Sequence, residues 1–377
     1  MNTQRMLDTF FEMVTIDSPS GHEAGMAAYC VRKLESLGFE VRYDDSQPAT
    51  GSDTPQIIAT LPAAGAGRIA LSAHMDCVEP CSGIKPRIED GVVYSDGTTI
   101  LSADDKAGIA QIFEAVESAI ESGIAYPEVT VLLSVCEEQG AAGAPHFPEV
   151  LFDPPVLTLV MDADGPAGTI VLTAPYHYTF TAAFSGRAAH AGVEPEAGIN
   201  AIAMAADAVC RMELGRLDES TTASVGVIQG GKATNIVADE CVLRGECRSF
   251  DGERALGLRD QMSEAMEQAA AAAGGSVSVD WVLSYPGIDV PRDDADVQML
   301  VSACREVGIE PVLASTGGGS DANQLWPKGC RAIPLGTGMT NFHSVDEHVA
   351  ISDMENSARL LERILEVVGK GEAADMR

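Results

Sequence analysis

The stretch Arg68–Asp76, RIALSAHMD, is the part of the sequence that most constrains the fold. Its small and branched apolar residues follow Gly67 and predict a short buried strand. An imidazole and a carboxylate, His74 and Asp76, come at the carboxyl end of this strand. Open α/β sheets place their chemistry at that edge, so the stretch predicts a functional site there.

Three later segments repeat the pattern of an apolar run that ends in acidic residues. Val129–Val135 is followed by Glu137 and Glu138, Val156–Met161 by Asp162 and Asp164, and Ile100–Ala103 by Asp104 and Asp105. We expect all three runs to be strands, whose acidic residues converge with His74 on one sheet edge. Carboxylates gathered at one edge repel each other unless a cation lies among them, and a His/Asp/Glu set suits zinc. The sequence therefore predicts a metal site, with two ions.

Each of these short patterns also has a structural interpretation. A lone His-x-Asp or Glu-Glu pair is usually part of a solvated loop, because short motifs match by chance. Asp104 and Asp105 precede the apolar positions of a predicted amphipathic helix, Asp105–Gly123, where acidic N-terminal residues are common. The metal interpretation depends on four such patterns occurring in order.

Composition limits the class of protein. The chain has 377 residues, 46% of them hydrophobic, which is enough for two globular domains. Its net charge of −32 makes polyanions poor partners, so we expect no nucleic-acid binding. We expect no membrane association either, because no apolar run could span a bilayer and the N-terminus lacks a signal-peptide pattern. Nine scattered cysteines favour a reducing, cytoplasmic location.

The order of the predicted elements indicates two domains. Helices and strands interleave up to about residue 177, as in an α/β sheet. The order strand-helix-strand-strand-helix-strand over 178–287 then predicts an inserted α+β domain of the ferredoxin-like kind. The α/β pattern resumes at Asp294 and ends in a helix that we expect to begin at the capping box Ser352–Glu355. We predict an α/β catalytic domain with an open mixed sheet, 1–177 plus 288–377, and an inserted domain, 178–287.

The ordered motifs resemble those of the dinuclear zinc metallopeptidases of the M20 family. The resemblance extends from about residue 5 to 368, and the segment 90–108 looks most like the peptidase T (tripeptide aminopeptidase) branch. The motifs that carry it are HMD at 74–76, SADDKAG at 102–108, EE at 137–138, Asp162, and HSVDE at 343–347.

The resemblance implies a set of metal ligands. His74 and Asp162 would hold one Zn²⁺, Glu138 and His343 would hold the other, and Asp104 would bridge the two. Two zinc ions per subunit are expected, with Co²⁺ or Mn²⁺ as alternatives.

The resemblance also implies catalytic roles for Asp76, Glu137 and His190. Asp76 would orient His74 from behind, as carboxylates do with metal-bound imidazoles. Glu137 would be the general base that takes a proton from the attacking water. His190, in GRAAHAG at 186–192, matches a lid histidine that reaches into the active site of the other subunit and stabilises the oxyanion. The inserted domain would then be a lid and dimerisation domain of a homodimer; from the sequence alone, a helix-capping histidine is equally consistent.

Four further residues match substrate-binding positions of the family. Asn235 and Arg248 would contact the substrate backbone or its terminal carboxylate. Gly318 and Gly319 would offer backbone N–H groups to a substrate carboxylate. Their structural alternatives are a loop amide, a strand-end surface charge and a flexible connector.

Some candidates are less favoured. Asp162 is preferred to Asp164 because it is the first polar residue after its apolar run. His348 is rejected in favour of His343, which directly follows Asn341 and Phe342. The histidines and the cysteine that we expect to have packing or surface roles only are His22, His146, His177, His348 and Cys136.

The predicted function is hydrolysis of short peptides by a metal-activated water, in an aminopeptidase that acts on tripeptides. Within the same family, a dipeptidase or an N-acyl or carbamoyl amino acid amidohydrolase is the alternative. From a different class, a non-catalytic metal-binding protein is the alternative, although it would need neither Glu137 nor His190. A serine hydrolase is not expected, because the sequence lacks a GxSxG motif.

Overall fold

The structure is a computed structural model that describes residues 1–372. It contains two compact units. Unit 1 comprises Met1–Thr173 and the chain from Val290 onward, and unit 2 comprises Ala174–Asp289. Within residues 1–372, no helix combines the length and the apolar character that crossing a membrane requires.

The first segment of unit 1 interleaves helices and strands as the sequence predicts. Its elements are α1 (Thr3–Val14), α2 (Ala24–Ser36), β1 (Glu40–Tyr43), α3 (Gln47–Thr50), β2 (Ile57–Leu61), β3 (Arg68–His74), β4 (Arg87–Glu89), β5 (Val92–Tyr94), α4 (Ala103–Ser122), β6 (Glu128–Ser134), β7 (Leu157–Ala163) and β8 (Thr169–Ala174). Short 3₁₀ turns follow β6, the first of them at Glu137–Gln139.

Unit 2 follows in the chain, and unit 1 is completed after it. The elements of unit 2 are β9 (Tyr176–Ser185), α5 (Ala201–Arg211), β10 (Gly215–Arg216), β11 (Thr221–Gly230), β12 (Glu240–Ser249), α6 (Gly252–Ala273), β13 (Ser276–Tyr285) and β14 (Ile288–Asp289). The second segment of unit 1 contains α7 (Ala295–Glu306), β15 (Val312–Ser315), α8 (Asp321–Leu325), β16 (Arg331–Gly336), β17 (Met339–Thr340), β18 (His348–Ala350) and α9 (Ile351–Gly369).

The main sheet of unit 1 is mixed, and it positions the site. Its strands follow the order β1-β2-β6-β3-β7-β16-β8, with β15 paired to β8. The central strands β6, β3, β7 and β16 are parallel, whereas β2 is antiparallel to β1 and to β6. The predicted α/β fold with an open mixed sheet is confirmed. Because the central strands are parallel, their carboxyl ends lie at one edge.

A helical layer covers this sheet through α4. The helix packs against α1 and α9 and against β3 and β7. Its side chains are buried on nearly all sides rather than along a single stripe. The expected amphipathic helix is therefore a core helix, because α1 and α9 cover the face that would otherwise meet water.

Two expectations about local structure are wrong. Residues 100–102 do not form a strand: the backbone N–H groups of Leu101 and Ser102 bond to the Glu347 carboxylate instead of to a neighbouring strand. The predicted capping box at Ser352 is also absent, because the N-cap of α9 is the extended Ala350, two residues earlier. A capping box occurs instead at Ser320, the N-cap of α8.

Unit 2 is an antiparallel sheet with two helices on one face. The strand order is β10-β11-β12-β9-β13, which together with the chain order gives the predicted ferredoxin-like arrangement. Alternate residues of β9, among them Phe180 and Phe184, face a core that also includes Met204 of α5 and Met262 and Met266 of α6. The predicted domain 178–287 falls within unit 2.

Candidate metal centre

Three parallel strands bring candidate ligands to the same sheet edge. His74 is the last residue of β3 and lies opposite Ser134, the last residue of β6. The 3₁₀ turn after β6 carries Glu137 and Glu138. Asp162 is the sixth residue of β7, so the strand extends one residue past it rather than ending before it.

Asp104 comes from the start of α4. Its backbone is not helical, with φ −77° and ψ 102°, so the first turn of α4 is irregular at this residue. Asp104 is 5% exposed. The Asp104 side chain points to two imidazoles: Oδ1 lies 2.9 Å from His74 Nε2, and Oδ2 lies 3.2 Å from His343 Nε2.

His343 lies in the loop between β17 and β18. Its backbone has φ 61°, a left-handed conformation that is uncommon outside glycine. Its Nε2 lies 2.7 Å from Glu138 Oε2, and the side chain is 46% exposed. On the other side of the cluster, His74 Nε2 lies 3.7 Å from Asp162 Oδ1. Asp104 therefore stands between a His74/Asp162 pair and a His343/Glu138 pair.

Asp76 holds the backbone behind these groups. Its carboxylate accepts the N–H of Glu137 at 2.9 Å, the N–H of Glu138 at 3.2 Å and the hydroxyl of Ser20 at 2.6 Å. Asp76 Oδ1 also lies 3.5 Å from His74 Nδ1, although that ring nitrogen is closer to the carbonyl oxygen of Asp76, at 3.0 Å. Asp76 is fully buried. Because it follows β3 and accepts N–H groups of the turn after β6, it holds the ends of these two strands together.

The carboxylates of the cluster raise the pKa values of both imidazoles. Burial would lower the pKa of His74, but hydrogen bonds to Asp104, Asp162 and Asp76 outweigh it and raise that pKa well above its usual value. Hydrogen bonds to Asp104 and Glu138 raise the pKa of His343 to about 10. The neighbouring carboxylates therefore favour the protonated form of both imidazoles.

The pKa values of two carboxyls of the cluster, Glu137 and Asp162, are raised as well, and burial is the main cause. Burial, followed by the charge of Asp162, raises the pKa of Glu137 well above its usual value. Burial raises the pKa of Asp162 to about 7, despite its hydrogen bond to His74. A divalent cation among these oxygens would favour their ionised forms.

The donor set fits divalent metal ions. Two groups have ligand atoms that all lie within 4.8 Å of one another: His74, Asp104 and Glu138, and His74, Asp105 and Asp162. Two buried oxygens of the cluster, Glu138 Oε1 and Asp105 Oδ1, have no hydrogen-bond partner within residues 1–372. Imidazole nitrogen and carboxylate oxygen are the ligands of borderline ions such as zinc.

The two aspartates that flank Ala163 differ in position. Asp162 lies against His74, whereas Asp164 is exposed. Similarly, His348 does not join the cluster; it stacks on Tyr94 with ring centroids 5.1 Å apart. The choice of Asp162 and His343 as ligands stays a prediction, and the geometry agrees with it.

Three buried carboxyls near the site received no role from the sequence. Asp105 accepts the His74 backbone N–H at 3.2 Å, Glu347 accepts three backbone N–H groups, and Asp321 contacts the Ser134 hydroxyl. Burial raises the pKa of Asp321 to about 6. Asp105 and Glu347 lie within motifs quoted above, and Asp321 follows Gly318 and Gly319. The sequence therefore pointed to these positions, but it could not reveal the hydrogen bonds that they make.

The predicted substrate contact in unit 1 is the glycine loop after β15. The Gly318 N–H donates to Thr316 Oγ1 at 3.2 Å, which engages that N–H within the loop. Ser320, immediately after Gly319, caps α8. The substrate role of Gly318 and Gly319 stays a prediction.

Unit 2 contains the remaining candidates. His190 and Asn235 are exposed and belong to adjacent segments, joined by the bond from the Ala191 N–H to the Asn235 carbonyl at 3.0 Å. His190 does not cap a helix; its Nδ1 accepts the Gly192 N–H at 3.2 Å.

Arg248 is part of a different polar group of unit 2. Its Nε and Nη2 donate to Glu246 at 3.0 and 3.2 Å, and its Nη1 donates to the Tyr285 hydroxyl at 3.3 Å. His177 shares Glu246, at 3.0 Å, and packs on Tyr285. Arg248 is therefore a fixed, half-buried guanidinium and not a freely solvated surface charge.

Comparison with known proteins identifies the family. The family model of peptidase family M20/M25/M40 matches residues 70–367, and the chain belongs to this family. It is a hydrolase of the metallopeptidase type.

Relatives of known sequence and structure agree with this assignment. An uncharacterised Bacillus subtilis protein, YqjE, is 38% identical over 375 residues, which cover 98% of this chain and 100% of that protein. Peptidase T of Vibrio cholerae is 26% identical and covers 96% of this chain and 88% of its own length.

Two solved structures are similar over nearly the whole chain. Aminopeptidase PepT from Bacillus cereus is 38% identical with a TM-score of 0.90, covering 98% of this chain and 99% of its own. A tripeptidase from Staphylococcus aureus is 35% identical with a TM-score of 0.93 and the same coverage. The predicted resemblance to the peptidase T branch is confirmed.

Proposed function

We propose that this protein is a dizinc aminopeptidase that removes the N-terminal residue from short peptides, with tripeptides as its main substrates. The observation that carries the proposal is the position of Asp104 between His74 and His343, each with a second carboxylate beside it. One carboxylate that contacts two imidazoles from opposite oxygens is the arrangement that a bridging ligand requires. The names of the PepT and tripeptidase structures support the substrate class.

The proposed ligand sets are His74 and Asp162 for one ion, Glu138 and His343 for the other, and Asp104 for both. Bound divalent ions would polarise the scissile carbonyl and lower the pKa of a water molecule. The residues of this chain would supply the remaining requirements: a fixed geometry, a proton carrier and substrate contacts.

Glu137 is the proposed proton carrier. It is adjacent to Glu138 but makes none of the imidazole contacts of that residue, so it remains free to reach the water. A Glu137 oxygen would take the proton of the attacking water and deliver it to the leaving amine. Asp76 would hold Glu137 in place through its backbone N–H.

Substrate contacts are proposed for unit 2 and for the glycine loop. His190 of a partner subunit would donate to the oxyanion, and Asn235 and Arg248 would bind the backbone or terminal carboxylate of the peptide. Gly318 and Gly319 would contribute N–H groups. The exposed apolar residues Val227 and Ile228 of β11 support a homodimer formed through unit 2.

A cytoplasmic location is part of the proposal. All nine cysteines lie within residues 1–372 and all are free thiols, which is the usual state in a reducing compartment.

Glu137→Gln tests the mechanism. We expect kcat for a tripeptide to fall by about 10²- to 10⁴-fold, because the general base is removed, while the zinc content measured by elemental analysis is unchanged. Glu149→Gln is the matched control, since Glu149 is an exposed glutamate in the following turns. Hydrolysis by E137Q at the wild-type rate would refute the assigned role.

A substrate panel separates the proposal from its alternatives. A free tripeptide should be hydrolysed, the same tripeptide with an acetylated N-terminus should not, and dipeptides should be poor substrates. A preference for dipeptides or for N-acyl amino acids would instead indicate the dipeptidase or amidohydrolase activity.

A further inference from the structure

The carboxylate of Glu347 binds one short loop through three backbone N–H groups. Oε2 accepts the N–H of Leu101 at 2.7 Å and that of Ser102 at 2.8 Å, and Oε1 accepts the N–H of Asp104 at 2.9 Å. Glu347 is only 1% exposed. Both of its oxygens are therefore committed to the loop that leads into α4 and carries Asp104.

This loop has a conformation that needs external support. Ser102 has φ 61° and ψ 33°, which is left-handed backbone at a residue with a side chain. Asp104 departs from helical geometry immediately afterwards. Such conformations persist where the surroundings fix them, and short charge-assisted bonds to three N–H groups are suited to do so.

The other end of Glu347 belongs to the loop that carries His343. Asn341 and His343 also have left-handed backbone, with φ 54° and 61°. Phe342 and Val345, the large apolar residues of this loop, are 40% and 41% exposed, so apolar burial does little to hold it. Glu347 is the buried residue at its end, and its own N–H bonds to the Ser344 carbonyl at 3.2 Å.

We infer that Glu347 is a positioning residue of the metal centre, which fixes the Asp104 loop and the His343 loop relative to each other. Through this connection it sets the distance between the proposed bridging carboxylate and one of the proposed imidazole ligands. The inference rests on the proposed metal-ligand roles of Asp104 and His343. It adds a residue that would not touch the ions or the substrate.

Glu114 of α4, the helix that also carries Asp104, provides a matched control for Glu347. It is 2% exposed and accepts the backbone N–H of Asn2 at 2.6 Å, together with two bonds from Arg5. It lies ten residues after Asp104 on α4, about 15 Å along the helix axis. Glu114 thus resembles Glu347 in burial and in its backbone contact, but it does not contact a ligand loop.

The test compares Glu347→Gln with Glu114→Gln by metal binding rather than by hydrolysis. Zn²⁺ affinity is measured by competition with a chromophoric chelator, and the coordination geometry by the visible absorption of the Co²⁺-loaded protein. For E347Q we expect a Zn²⁺ dissociation constant raised by about 10- to 100-fold and an altered Co²⁺ spectrum. For E114Q we expect wild-type values of both, with a lowered melting temperature.

A second variant tests the reason for the effect. Glycine adopts left-handed backbone without steric cost, so Ser102→Gly should reduce the need for Glu347. The double variant S102G/E347Q should recover part of the lost Zn²⁺ affinity, and it replaces E347Q in the measurement if the single variant does not fold.

The outcomes distinguish this inference from the proposed function. Wild-type Zn²⁺ affinity and Co²⁺ spectrum in E347Q, in a protein whose wild-type form binds the metal and hydrolyses peptides, would overturn the inference alone. A wild-type protein that binds no Zn²⁺ would overturn the proposed function as well.

Discussion

Buried carboxylates in unit 1 have distinct tasks that depend on their contacts. Asp104 meets two imidazoles, Asp76 meets the backbone N–H groups of Glu137 and Glu138, and Glu347 meets the loop before α4. A carboxylate that touches imidazoles is available to a metal ion. One whose oxygens already accept N–H bonds instead stabilises the positions of its neighbours.

The sequence predicts the first kind of residue better than the second. His74, Glu138 and Asp162 lie at or after apolar runs, and parallel strands bring such residues together, so their proximity could be expected. The task of Glu347 could not, because its partner Asp104 lies 243 residues earlier and a backbone N–H leaves no trace in a sequence pattern.

At Glu246, the structure predicts a pH effect on stability. The hydrogen bond with His177 and that with Arg248 lower the pKa of Glu246 from 4.5 to about 2, against burial. Because the folded-state pKa is the lower one, the stabilisation is present above pH 4.5 and is lost as the pH falls towards 2.

We therefore expect Glu246→Gln to have a lower melting temperature than the wild type at pH 6, with the difference shrinking as the pH falls to about 3. Thermal denaturation followed by circular dichroism measures this. Glu267→Gln, at an exposed position of α6, is the control and should show no such pH-dependent difference. A constant difference for E246Q across this range would contradict the assignment.

Among the elements, α4 connects packing to the site. It carries Asp104 and Asp105 in its first turn and packs against β7 and against the covering helices α1 and α9. Gly108 makes the closest approach: a Cβ there would overlap the Met161 carbonyl oxygen and the Asp105 carboxylate. A side chain at this position would displace either β7 or the start of the helix.

Gly108→Ala should destabilise the protein by about 1–3 kcal/mol, the usual cost of overpacking, and should weaken Zn²⁺ binding through Asp105. Gly257→Ala is the matched control, since Gly257 is a helical glycine of α6 with no atom within 4 Å of an added Cβ. There alanine should be neutral or stabilise by up to about 1 kcal/mol. Chemical denaturation gives both values, and equal effects would show that the Gly108 contacts are not restrictive.

Element boundaries were predictable where the pattern is local. The apolar run at Arg68–Ala73 suffices to locate β3. Ile100–Ala103 looked like a strand, but its N–H groups bond to Glu347, and Ser352–Glu355 looked like a cap, but α9 starts from Ala350. In both cases a long-range contact or the direction of the entering chain overrides the local signal.

For the whole molecule, the two-unit organisation follows from the change in element order, whereas the strand order β2-β6-β3-β7 does not. It depends on how successive strands cross over one another, and the sequence carries no direct record of that. The net charge of −32 likewise gave no substrate.

Chelation of the metal should destabilise the molecule. Burial disfavours the ionised forms of Glu137, Glu138 and Asp162 and raises their pKa values, and a bound cation would favour those forms. We expect chelator to lower the melting temperature, and Zn²⁺ at about 100 times its dissociation constant to restore about 2.7 kcal/mol. Potassium chloride at equal ionic strength is the control, because it screens surface charge but supplies no divalent ion for the site. Full recovery of the melting temperature with this salt alone would contradict the prediction.

The hydrogen bonds between Glu347 and the Asp104 loop join the two segments of unit 1, which unit 2 separates in the sequence. During synthesis, the ribosome makes the segments with His74, Glu138 and Asp162 first, then unit 2, and after it the loop with His343 and Glu347. A nascent chain that stops before Asn341 lacks one proposed imidazole ligand and the clamp on the bridging aspartate. Peptide-cleaving capacity would thus arise only after the chain has been translated beyond Glu347.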